Sequence, residues 1–268
     1  MSVPALSVSD LALAAMLILA NAALSLWLSL AIARDIAVAA VRAAVQLLLV
    51  GLVLKTVFES SSLPLTLLIA AAMFAAASYE VGSRQERRLA GWWGYGLGAG
   101  TTVLATTLVT LFALFTQLQP QPWYAPHTAI PMLGIVLGSV MNGVSQTLSG
   151  MTAAVARERN AIEARLALGC DRATALRPLQ RRAIRSGLIP IVNQMSAAGL
   201  ITLPGMMTGQ VLAGMDPVEA AKYQILILFL LAGGAGLGAV AAAVLATRRL
   251  TDERHRLRLD RLAPASRH

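Results

Sequence analysis

Cysteine occurs once in this chain of 268 residues, at Cys170, and lysine only at Lys55 and Lys222. A lone cysteine excludes an intramolecular disulfide framework and a thiolate metal cage. The three histidines, His127, His255 and His268, are too scattered for an HExxH zinc pair or a histidine-centred triad. Neither lysine follows a glycine, so the Gly-Lys-Ser/Thr of a phosphate-binding loop is missing and ATP has no such site here. Charge is scarce too. At 13% charged residues the chain has too little polar surface for a soluble globule, and no catalytic residue is assigned.

What fills the sequence instead is hydrocarbon: 57% of residues are hydrophobic and the mean hydropathy is +0.67. A bilayer core of roughly 30 Å needs about 20 apolar residues as a helix. Seven windows meet this, at about 10–33, 36–57, 63–82, 92–117, 128–149, 187–212 and 220–247. They are long, rich in Ala and Leu, and lack period-two alternation, so an all-α polytopic membrane protein is predicted rather than a β-barrel. The opening MSVPALSVSD has no basic stretch or cleavage pattern, and the first window is expected to stay as a real helix. A single transmembrane domain is expected over 1–250, followed by a basic tail at 251–268.

Nineteen of the 22 basic residues fall in four segments: Arg34, Arg84 to Arg88, Arg157 to Arg185 and Arg248 to Arg267. Seven spans place all four on one side, and the positive-inside rule makes that side cytoplasmic, with the N-terminus outside and the C-terminus inside. The alternating loops near 59–62, 117–127 and 213–220 carry no basic residue. This bias accounts for the formal charge of +9, and nucleic acid is not expected as a partner.

The longest polar interruption, 151–186, reads as two short helices projecting from the membrane. Ile162 and Leu166 are spaced i, i+4 on the first, Gly169 suits a C′ position with positive φ, Asp171 suits the N-cap of the second, and Pro178 is expected to kink or interrupt it. Such a knob fits a partner's groove; an amphipathic segment held on anionic lipid is the alternative.

Ionisable and amide groups inside the spans mark a transport path or gate. A charged side chain in hydrocarbon costs about 2.5 to 3.5 kcal/mol on insertion scales, so Arg42 and Glu80 call for partners, and an Arg42 to Glu80 pair with Gln46 one turn away is plausible. Structural bridging is the competing reading. Asn142 and Asn193 are expected to be buried amides that join helices or contact substrate. In Pro204-Gly205-Met206-Met207-Thr208-Gly209-Gln210 a proline and two glycines predict a discontinuous helix. Its freed carbonyls, the Gln210 amide and the Met206 and Met207 thioethers can line a gate, touch a soft cation transiently or simply pack.

Glu163-Ala164-Arg165-Leu166-Ala167-Leu168-Gly169 resembles the EAA loop of ABC transporter permeases, with Arg165 at the third position. From about Arg42 to Gln224 the chain resembles the FetB/YbbM family of ABC permease subunits. The residues that carry the likeness are Arg42 with Gln46 and Gly51, Pro131-Met132-Leu133-Gly134 through Gly138 to Met141-Asn142-Gly143, the heptad ending at Gly169, Asn193, Leu203 to Gln210, and Asp216-Pro217 with Tyr223-Gln224. The resemblance implies a permease of the bacterial inner membrane exporting metal ions, iron foremost. It also implies a second copy of the chain and a separate cytoplasmic ATPase that holds ATP and Mg, with no cofactor on this chain. Glu163, Ala164, Arg165, Leu166 and Gly169 would then couple to that ATPase. A different substrate, a channel or secondary transporter working without ATP, and a membrane assembly protein remain as alternatives.

Overall fold

In a computed structural model, residues 7–60, 62–85 and 87–263 are described. The described chain is helical, with isolated bridges but no strand. The backbone falls into two compact units where the sequence suggests one domain. One runs to Ser62 and includes Leu212–Gly214; the other holds Leu63–Val211 and the chain from Met215 onward.

The first unit is an antiparallel pair, α1 (Val8–Trp27) and α2 (Ala33–Ser60). Ser7 opens α1 by accepting from the Asp10 amide while the Asp10 carboxylate takes the Ser7 amide at 2.8 Å, so two donors at the helix start are satisfied reciprocally. Side chains such as Leu47 and Leu48 are exposed over most of their surface, as a lipid-facing helix requires.

The second unit contains α3 (Leu63–Ser83), α4 (Trp93–Phe112, continued by a π-helical turn at Ala113–Leu118), α5 (Pro126–Arg157), α6 (Arg159–Ala167), α7 (Arg172–Ala197), α8 (Gly205–Leu212, whose last residue belongs to the first unit) and α9 (Pro217–Leu250). α5 lies at its centre, packed on α3, α4, α7 and α9. Small residues let these helices approach closely. A Cβ added at Gly238 would stand 2.8 Å from Val144, and one at Gly234 would stand 3.0 Å from Val140. The glycine-rich run at 233–238 therefore acts through packing. Gly187 of α7 is tighter still: an added Cβ would collide with Thr147 Oγ1 and stand 2.6 Å from the Gly143 carbonyl.

Among the described residues six helices are long and apolar enough to cross a bilayer, namely α1, α2, α3, α4 with its π-helical turn, α5 and α9. The remaining window, 187–212, is two pieces. α7 ends at Ala197, Ala198 is extended, Gly199 turns through φ +88°, and α8 begins at Gly205. The Gly199 amide donates to Thr202 O at 2.9 Å, which closes the turn. The discontinuity thus lies upstream of Pro204, which sits just before the first turn of α8, where its missing N–H costs nothing. Pro178 is likewise accommodated: α7 runs without interruption through both Pro178 and Pro190.

Residues 251–263 are no loose tail. Arg258 N donates to Leu250 O at 2.8 Å, Ala90 N to Arg261 O at 2.7 Å and Ala263 N to Arg88 O at 2.8 Å, while Leu89 and Leu262 form a bridge. Arg172 N donates to His255 Nδ1 at 3.1 Å. Three of the four arginine-rich segments therefore meet at one end of the second unit.

Candidate functional site

At that end, α6 and the start of α7 form the knob read from the sequence. The second helix is longer than expected because the apolar face of its first turns never stops being buried: Ala175, Leu176 and Leu179 are fully covered and continue into Ala183 and Gly187. α6 is fixed by Ile162, also fully buried, with Leu166 packed against the same core. Gly169 adopts φ +88° at the turn, and the Asp171 carboxylate accepts from Thr174 N at 3.0 Å. Hydrogen bonding from the Thr174 side chain, and then from this amide, holds the Asp171 carboxyl below the usual carboxylate range.

Polar contacts tie the knob to its base. Arg182 makes a two-pronged pair with the Glu158 carboxylate at 2.8 and 2.7 Å, and Arg165 Nη1 donates to Ala175 O at 3.1 Å. Glu163 pairs along its own helix with Arg159 at 2.8 Å. Glu163, Ala164, Ala167 and Leu168 face outward; Leu168, 85% exposed, is the large apolar side chain at the tip. Sequence reading passed over Leu168 because it fits no periodic apolar face. Its signal was an apolar residue directly before a C′ glycine in an arginine-rich loop.

A second constellation lies nearer the membrane. Arg84 Nε meets Glu80 Oε1 at 3.1 Å, and Arg84 Nη1 donates to Asn142 Oδ1 at 2.9 Å, linking α3 to α5. Arg84, counted from the sequence only as a topology marker, is thus an organising residue. Arg42 and Gln46 lie in α2 of the other unit, both exposed.

Asn142 also lines a cleft of about 320 Å³ between α5, α7 and α9, together with Gly138, Ser139, Pro190, Gln194 and Leu231. Asn142 and Asn193, expected to be buried, are exposed in the chain. Helical phase explains Asn193: Gly187 and Ile191 mark the covered face of α7, and a residue two beyond Ile191 turns away from it. The neighbouring Gln194 is the amide that reaches the cleft.

The third feature is Pro204 to Gln210. α8 has no buried residue, and Cβ atoms added at Gly205 or Gly209 would meet nothing within 4 Å. Met206 is 40% exposed and Met207 partly so; Thr208 Oγ1 bonds back to Pro204 O at 3.2 Å, and Gln210 Oε1 is buried without a partner. Among the described residues no three His, Cys, Asp or Glu side chains gather as a metal cluster.

The model of an uncharacterised protein family, UPF0014, matches residues 8–251. The chain is 39% identical over 221 residues to a UPF0014 membrane protein of Synechocystis, covering 81% of this chain and 83% of the relative. It is 33% identical over 252 residues to the probable iron export permease protein FetB of Escherichia coli, covering 92% and 93%. The Arabidopsis thaliana protein ALUMINUM SENSITIVE 3 is 29% identical over 204 residues, covering 76% and 72%. No solved structure matches the chain.

Proposed function

Because the chain belongs to the UPF0014 family, we propose that it is the membrane-spanning permease subunit of an ATP-binding cassette exporter of metal ions, iron foremost, in the bacterial inner membrane. A separate cytoplasmic ATPase supplies the energy, and two copies of each subunit assemble. The permease relative from Escherichia coli, alike over nearly the whole chain, supports export as the activity. The observation that carries the mechanism is the knob: a buried Ile162, a glycine turn and a capped helix start weld the outward-facing Glu163, Ala164 and Leu168 to α5 and α7, the helices that form the cleft at Asn142.

Force applied to the knob therefore moves helices rather than a loose loop. The equilibrium between two states of the path shifts by the difference in ATPase contact between them. Asn142, Gln194 and Ser139 offer oxygen and amide groups along the cleft, with Arg84 and Glu80 at its base. At 1.5 Å per residue, the apolar half of α7 (187–197) and α8 each fall well short of a bilayer of roughly 30 Å; together they reach about that length. A crossing in two pieces puts the Gly199 turn at membrane depth, where unpaired backbone is tolerated facing protein or water. Met206 and Met207 would meet a soft or borderline cation there only in passing.

The test is purification of the chain with its ATPase and measurement of metal efflux from cells, across several metals. Leu168→Asp combined with Ala164→Asp should leave the folded permease at normal abundance, since both residues are exposed, yet abolish retention of the ATPase and reduce efflux to the level of cells lacking the pair. Normal retention and efflux in that variant would remove the knob from the mechanism.

A further inference from the structure

A groove of about 380 Å³ runs between the start of α4 and the end of α9. Its upper part is apolar: Gly96, Gly100 and Leu104 recur one turn apart on α4, facing Ala241 and Leu245 on α9. Its lower end is cationic, lined by Arg248, Arg249 and Arg261 together with Trp93. Arg249 sits over that ring at 5.0 Å, and its Nε is buried without a hydrogen-bond partner. Arg261 is held in place by donating Nη1 to Arg249 O at 2.9 Å and Thr251 O at 3.3 Å.

The nearby acids are committed elsewhere. Asp252 pairs with Arg256 at 3.2 Å and Arg258 at 4.0 Å, and Asp260 pairs with Arg258 at 2.9 Å. Glu253 lies in the adjoining polar bowl that Arg248 and Arg261 also line, not in the groove. Among the described residues no carboxylate pairs with Arg248, Arg249 or Arg261. Three guanidinium groups gathered with no carboxylate in direct ion-pair contact repel one another, a repulsion that the Asp260 charge offsets only in part at Arg249 and Arg261, and a buried, unbonded Nε adds a desolvation cost. A ligand that repays both carries oxygen acceptors and negative charge.

We infer that this groove binds an anionic phospholipid, its phosphate on Arg248, Arg249 and Arg261 and one acyl chain along Gly96, Gly100, Leu104 and Leu245. Free phosphate would satisfy the arginines but leave the apolar strip empty, and a neutral lipid would do the reverse. The placement fits a lipid in particular: α4 and α9 both have membrane-spanning length and composition, and the arginines stand where α9 leaves its apolar run. Guanidinium forks match phosphate oxygens in pairs, which fixes the headgroup as well as attracting it. The inference is independent of what the protein transports. Arg261 also belongs to the segment bonded to Ala90, so an occupied groove would hold 251–263 against the α3 to α4 connection.

The experiment uses the full-length protein in detergent, titrated with phosphatidylglycerol or phosphatidylcholine and read by native mass spectrometry, with inorganic phosphate as competitor. Wild type should retain phosphatidylglycerol roughly tenfold more tightly than phosphatidylcholine. Arg248→Gln with Arg249→Gln should erase that preference, because neither side chain donates a hydrogen bond that holds the fold. Gly100→Leu should weaken phosphatidylglycerol without lowering the melting temperature, since a Cβ at Gly100 meets nothing within 4 Å and glycine disfavours a helix interior. Equal retention of the two lipids by wild type overturns the proposal, as does indifference to Gly100→Leu; full displacement by millimolar phosphate would mean an anion site without a lipid.

Discussion

The knob at 158–183 and the segment at 198–212 both interrupt an apolar chain with glycine and polar residues, and the structure treats them oppositely. The knob is sewn into the core by Ile162, Leu176 and Leu179, each fully buried, and its one strained glycine is spent on a turn. α8 buries no whole side chain, only the Gln210 Oε1 atom, and its own glycines, Gly205 and Gly209, meet empty space. Under the proposed mechanism one carries force and the other yields to it. The difference follows from where apolar side chains find partners, since the helix-breaking residues are similar in both.

The largest test of this contrast is at the foot of the knob. Gly187→Val puts side-chain atoms into Thr147 and the Gly143 carbonyl, and overpacking of this kind costs about 1 to 3 kcal/mol or more. Folded yield and melting temperature in detergent should collapse. Comparable in size is Ile162→Ala, which empties a fully buried site at a cost of about 2 to 5 kcal/mol. Met206→Ala with Met207→Ala should move the melting temperature hardly at all while changing efflux; unchanged efflux at equal abundance would take the methionines out of the path.

A smaller effect has opposite signs in the two regions. Gly169→Ala forces a Cβ onto a backbone with φ +88° and should cost about 1 to 2 kcal/mol. Gly209→Ala sits inside a helix with room around it and should stabilise by up to about 1 kcal/mol, with slower transport if the segment must bend. Loss of stability in both variants would undo the contrast.

The smallest effect is on acidification. Asp171, held low by Thr174, and Asp252, held low by the Arg256 amide, both have folded values depressed below the ordinary carboxylate value. A depressed carboxylate contributes stability that is complete above its unfolded value and is lost as pH falls through the folded one. Hydrogen exchange at 170–176 and 251–258 should therefore rise only in acid below the usual carboxylate range. α8, which contains no carboxylate, should show no matching change.

How legible these regions were depends on the range of the interactions. The C′ role of Gly169 and the N-cap role of Asp171 were readable because a cap involves neighbours three residues apart. The break in the sixth apolar window was also foreseeable from its glycines and proline, but its position was not. Pro204 announces a disruption, whereas the turn at Gly199 is set by hydrogen bonds from Gly199 to Thr202 and from Thr202 to Ala197. The organising role of Arg84 escaped notice, since its tie to Asn142 spans 58 residues and no local pattern encodes it.

By itself the sequence determined that the chain is helical and lies in a membrane, because hydrogen-bond satisfaction in hydrocarbon leaves few alternatives to a 20-residue apolar run. It also determined which loops carry the arginines and where the knob turns. Tertiary structure alone decided that residues 251–263 close back on Leu89 and Ala90, that Asn142 opens onto a cleft beside Gln194, and that three arginines line one groove with Trp93 without a carboxylate in ion-pair contact. Those arrangements join residues far apart in the chain, and only the packing of the helices against one another, α5 on its neighbours and α4 on α9, brings them within reach.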